Sequence, residues 1–104
     1  MKEVIEKVNN FNKDRDWGQF HSPENLAKSI VIESAELLEN FQWDNNFELH
    51  KIEDELADVF LYTIMLAEKL EIDLLEVANK KIDKNEARYE LNKAKGTSKK
   101  YTEL

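Results

Sequence analysis

The sequence predicts an all-α fold, an antiparallel four-helix bundle completed by oligomerisation. The 104 residues include two glycines and one proline, too few turn formers for an all-β domain. Four segments carry apolar residues at three- and four-residue spacing, the period of one helix face. A chain of this length makes one domain and buries a modest fraction of its surface, which partner helices would increase.

The first helix is expected from about Lys2 to Lys13, with Val4, Ile5, Val8 and Phe11 on one stripe. The polar, aromatic stretch DRDWGQFHS, Asp14 to Ser22, reads as a loop. Ser22 caps the second helix and Pro23 suits its first turn. Leu26, Ile30, Leu37, Leu38 and Phe41 give that helix an apolar side as far as about Phe41. The third helix runs from about Phe47 to Leu70 and buries Ile52, Leu56, Val59, Phe60, Thr63, Ile64, Ala67 and Leu70. After a break at Glu71-Ile72, Asp73 and Glu76 form a capping-box-like start for a fourth helix. In it Leu74, Leu75, Val77, Ala78 and Ile82 face inward, and it ends near Leu91. The domain is therefore expected over residues 1–91, with a basic tail over 92–104 that carries four lysines against Glu103.

Composition excludes several function classes. Hydrophobic residues make up 41% and charged residues 36%, a soluble globular balance. With no cysteine there is neither a disulfide scaffold nor a thiolate metal site, and a cytoplasmic location is expected. The opening MKEVIEKVNN lacks the apolar core of a signal peptide. The apolar stretch from Val59 to Ala67 is too short for a membrane span. The net charge of −7 argues against a nucleic-acid polymer as partner. It does not argue against a small phosphate ligand, because a bound metal reverses the local field.

The acids are concentrated. Residues 24–58 hold ten of them against two lysines, and include the motifs Glu33-Ser-Ala-Glu36 and Glu55-Leu-Ala-Asp58. Acids three apart on a helix lie about 60° apart around the axis and one turn along it, so both can reach one ligand. Their mutual repulsion is removed by a hard divalent cation, and oxygen-only ligands suit Mg2+ or Mn2+. The alternative is a solvated acidic surface. Against it, Ala35, Leu37, Leu56 and Ala57 place these acids at the edge of the apolar stripe.

The pattern E-x-x-E, eighteen residues, E-x-x-D resembles the MazG-like all-α nucleoside triphosphate pyrophosphohydrolases, most closely their dCTP pyrophosphatase branch. The segments RDWGQFHSPENL, ESAELLENFQW, EDELADVFLYTIMLA, KKIDKNEARY and KYTEL extend the likeness over nearly the whole chain. Two departures stand out. Ser34-Ala35 replaces a spacer that commonly contains glycine, and Arg88-Tyr89-Glu90 replaces Arg-Tyr-Pro, which would let the fourth helix run on.

The resemblance implies Mg2+-dependent hydrolysis of a (deoxy)nucleoside triphosphate, dCTP or a modified dCTP first, to monophosphate and pyrophosphate. It further implies a role in cleansing the nucleotide pool and assembly as a homodimer or homotetramer. Glu33, Glu36, Glu55 and Asp58 are then the metal ligands, and Glu33 or Glu36 accepts the proton of the attacking water. Trp17 and Trp43 either offer stacking faces for a base or pack as partly buried aromatics, and the resemblance favours the base; it also sets His21, otherwise a surface or capping residue, near base and sugar. Asn25 stands either as a first-turn polar residue or as a base or sugar contact. Tyr62 follows Asp58 by one turn and either bonds the sugar or a ligand carboxylate, or packs in the core. Lys81, Asn85 and Arg88 share one side of the fourth helix and either form a solvated charged face or bind phosphate oxygens, which a triphosphate favours. The rival reading is a non-catalytic helical binding module or an antitoxin-like interaction protein.

Overall fold

The computed structural model describes residues 1–103, so the last residue of the expected tail, Leu104, lies outside the described residues. The protein is all-α. Its helices are α1 (Lys2–Asp14), α2 (Pro23–Glu39), α3 (Leu49–Lys69), α4 (Leu74–Arg88) and the short α5 (Leu91–Ala94), with 3-10 turns at Trp17–Phe20 and Tyr101–Glu103. No helix among the described residues is long and apolar enough to cross a membrane.

The chain divides into two compact units, Met1–Ile72 and Asp73–Leu104. In the first, α2 packs along α3 as a helical hairpin, and α1 packs against α3. Its core is Val8 from α1, Leu26 from α2, and Ile52, Ile64 and Ala67 from α3.

The helix starts are where side chains can satisfy free amides. Ser22 Oγ accepts from the Asn25 amide (3.1 Å) ahead of Pro23, and Asp73 Oδ1 accepts from the Glu76 amide (3.1 Å). The ends differ from expectation by a turn or less. α2 stops at Glu39, where Asn40 Nδ2 donates to the carbonyls of Glu36 and Leu37 (3.2 and 3.3 Å). α3 closes in a Schellman motif: Glu71 N–H donates to Glu68 O and Ile72 N–H to Ala67 O, with Glu71 at φ 56°. α4 does not run on to Leu91. It ends at Arg88 because Tyr89 leaves the helical region (φ −112°, ψ 73°), and after the non-helical Glu90 the chain turns into α5, which straddles the expected tail boundary. The loop expected over Asp14 to Ser22 contains the first 3-10 turn.

The expected apolar faces are only partly buried. Leu38 and Leu56 remain 68% and 52% exposed, and Phe41, Phe60 and Leu70 are exposed as well. A hairpin with one further helix covers only one side of each of its members. On α4, Leu75, Val77, Ala78 and Ile82 are exposed and Leu74 is half-buried.

Candidate active site

Both acidic motifs lie mid-helix, one on each arm of the α2–α3 hairpin, so the backbone that carries them is rigid. The hairpin brings Glu33, Glu55 and Asp58 together, with one carboxylate oxygen from each within 4.8 Å of the others. Glu36, the fourth expected ligand, is not one of these three, but it is near enough for its charge to act on both Glu33 and Glu55. Ser34, between the first two acids, donates to Ile30 O at 2.7 Å and so stays engaged with its own helix.

The electrostatics are those of a site short of positive charge. Glu33 Oε2 and Glu55 Oε2 are buried, with no hydrogen-bond partner among the described residues. Burial, a hydrogen bond with Glu36, and the charges of Glu36, Asp58 and Glu55 push the Glu33 carboxyl up to about 7. Burial and the neighbouring Glu36 charge also push Glu55 up. Without a cation the cluster lowers its own repulsion by holding protons. Several converging carboxylate oxygens, two of them otherwise unpartnered, fit a hard divalent ion that takes oxygen ligands. Glu33, Glu55 and Asp58 would hold it, with Glu36 alongside.

Asp58 also lines a cavity of about 450 Å³ walled by Val4, Lys7, Val8, Phe11, Trp17, Leu61, Tyr62 and Met65. An apolar chamber of this size with a carboxylate cluster at its edge has the form of a small-molecule site. Trp17 and Tyr62 are thus joined to the acids. Phe11 packs edge-on against Trp17, with ring centroids 5.4 Å apart.

Of the other expected contacts in the first unit, His21, Asn25 and Trp43 do not line this cavity. His21 lines a second cavity of about 420 Å³, with Asn9, Asn12, Lys13, Asp16 and Glu68 among its walls. Asn25 is used structurally: its Nδ2 donates to Phe20 O at 3.0 Å, which ties the 3-10 turn to α2. Trp43 stands in the α2–α3 connection and is 87% exposed. Lys81 and Asn85 are exposed on α4, and the Arg88 guanidinium lies over the Tyr101 ring at 4.5 Å. Tyr101 in turn meets Tyr89 edge-on at 6.1 Å, so the tail is folded back on the end of α4.

Phe11, Val8 and Met65 were not legible as site residues. The first two read as core on a helix stripe. The one available signal was Phe11 followed by Arg15 at i+4 and then Trp17.

A family description decides what this arrangement belongs to: the MazG-like family matches residues 28–104, a span that includes both acidic motifs. The chain belongs to the MazG-like family. Human dCTP pyrophosphatase 1 is 38% identical to this MazG-like chain and the mouse protein 36%, each over 90% of the chain. The chain spans 61% of the length of these curated relatives. Among solved structures, a pyrophosphatase from Archaeoglobus fulgidus superposes with a TM-score of 0.82 at 37% identity, covering 86% of this chain and 92% of that one. The MazG-like resemblance and the all-α fold expected from the sequence therefore both hold.

Proposed function

We propose that this MazG-like chain hydrolyses deoxynucleoside triphosphates, dCTP or a modified dCTP first, to the monophosphate and pyrophosphate. The observation that carries the reading is the convergence of Glu33, Glu55 and Asp58 within 4.8 Å beside an apolar cavity that Asp58 also lines. The relatives' name, dCTP pyrophosphatase 1, supports cytosine as the base.

The base enters the cavity against Trp17, and Tyr62 bonds the sugar or a ligand carboxylate. The triphosphate then lies at the carboxylate cluster. Water attacks the α-phosphorus in line, the bond to the α–β bridging oxygen breaks, and pyrophosphate leaves. Glu33 or Glu36 accepts the proton of the water. When bound, Mg2+, or Mn2+ in its place, supplies charge neutralisation at the phosphate oxygens and acidifies the water. Lys81, Asn85 and Arg88 bind phosphate oxygens, and Trp43 and His21 make further base and sugar contacts. Leu38, Leu56 and Phe60 are exposed apolar residues that a second copy would cover, which supports a homodimer or homotetramer. In a cytoplasm this activity cleanses the nucleotide pool.

The test is to incubate the protein with each dNTP and Mg2+ and identify products by 31P NMR. Monophosphate plus pyrophosphate, lost in Glu36→Ala, supports the reading. Diphosphate plus orthophosphate, or no turnover of any nucleotide, contradicts it.

A further inference from the structure

Trp17 sits in a segment that would be mobile on composition alone: a 3-10 turn that follows a non-glycine residue in the left-handed region, Asp16 at φ 54°. A loop indole loses rotamer freedom when it clamps a base, which weakens binding unless it is held beforehand. Here it is held. The Arg15 guanidinium lies 3.7 Å from the centroid of the Phe11 ring, and Arg15 Nη1 donates to Phe11 O at 3.1 Å. One side chain therefore fixes both the ring and the backbone of Phe11. Phe11 then meets Trp17 edge-on, and both rings line the cavity that reaches Asp58. Gln19 Nε2 donates to Asp16 O and Oδ2 (2.9 and 3.2 Å), which closes the turn from the other side. Arg15 makes no ion pair among the described residues, so its charge is directed to an aromatic face and not to a carboxylate.

We infer that Arg15 and Phe11 are positioning residues for nucleobase recognition: stacked in the order Arg15, Phe11, Trp17, they hold the indole as a preformed wall of the cavity beside Asp58 and set the size of base it admits. The inference rests on the function proposed above. Arg15 touches no substrate; it acts through Phe11. Phe11 supplies the edge that fixes the tilt of Trp17. Weakening the stack frees the indole, so base affinity falls while the phosphate chemistry at the carboxylates is unaffected. Removing the Phe11 ring deepens the cavity and favours larger bases.

The test compares Arg15→Met, Arg15→Lys, Phe11→Leu and Phe11→Ala with the unmodified protein. Arg15→Met and Phe11→Leu are expected to raise KM for the best dNTP about tenfold, the scale of one stacked base, with kcat within about twofold. Arg15→Lys, which keeps a cation but not the planar face, recovers part of that loss. Phe11→Ala shifts the purine-to-pyrimidine ratio of kcat/KM upward by about fivefold or more. In a Trp43→Phe background, read by fluorescence only, Trp17 emission moves to the red and is quenched more readily in Arg15→Met. A lowered Tm with unchanged KM, unchanged base ratio and unshifted Trp17 emission would overturn the inference and leave Arg15 a helix cap. If the unmodified protein turned over no nucleotide, base recognition would fall together with the proposed function. Active variants with normal KM would count against the inference alone.

Discussion

Two cavities of the N-terminal unit share one wall residue, Met65, and differ in most of the rest. One is lined mainly by apolar and aromatic side chains, with Lys7 at its wall, and reaches the carboxylate cluster through Asp58. The other adds amides, lysines, acids and His21 to Leu26 and Met65, and none of its acids is among the four clustered carboxylates. Volumes near 450 and 420 Å³ do not separate them; the company they keep does. A reaction on a nucleotide needs an apolar platform for the base and a charged site for phosphate within one molecule's reach. Of these two, only the first has both.

The largest effect expected from this contrast is on chemistry. Asp58→Ala removes a carboxylate from both the cluster and the cavity, and kcat should fall about a thousandfold or more. Circular dichroism should show an intact helical fold. Near-normal turnover at saturating Mg2+ would remove the cluster from the mechanism. A smaller effect separates the cavities directly. Trp17→Ala should raise KM about tenfold with little change in kcat, because stacking holds the base equally in ground and transition states. His21→Ala should raise KM by less, about threefold or under. A larger effect at His21 would move base recognition toward the polar cavity.

The smallest effect is on stability and needs no substrate. Glu33 titrates at about 7 in the folded, metal-free protein, above the ordinary carboxylate value of 4.5. Between these values the folded protein holds a proton that the unfolded chain has released. Stability should therefore fall as pH rises from about 4.5 to 7, and be greatest from this group below that window. Glu33→Gln should flatten that fall, and thermal melts across the range in EDTA would measure it. A wild-type profile no steeper than that of Glu33→Gln would show that Glu33 is not perturbed.

Much of the carboxylate half of this picture was legible in the sequence. Acids three apart must share a helix face, and a short connection between two long helices returns the second beside the first, so Glu33 and Asp58 had to meet. Ser22 and Asp73 announced their helices because a cap is a local interaction. The base-side half was less legible. The stack of Arg15, Phe11 and Trp17 depends on the left-handed backbone of Asp16, and an Arg-Asp-Trp tripeptide does not announce such a turn. Asn25 was open between two roles, and its side chain is engaged with the backbone of Phe20. The end of α4 was missed because Tyr89 leaves the helix with no proline or glycine to mark the stop. The width of the apolar stripes was read as burial, yet Leu38 and Leu56 are uncovered in the single chain.

The central claim is that Glu33, Glu36, Glu55 and Asp58 form a divalent-cation site that holds protons until the cation arrives. Calorimetric titration of the metal-free protein with Mg2+, in buffers of different ionisation enthalpy, reads the protons released on binding. With Glu33 at about 7, binding at pH 7 should release about half a proton from that group, more at pH 6 and progressively less above pH 8. Glu33→Gln should reduce the release. Saturable Mg2+ binding with pH-dependent proton release is the predicted result; no binding at millimolar Mg2+, or binding with no proton release between pH 6 and 8, would contradict the account.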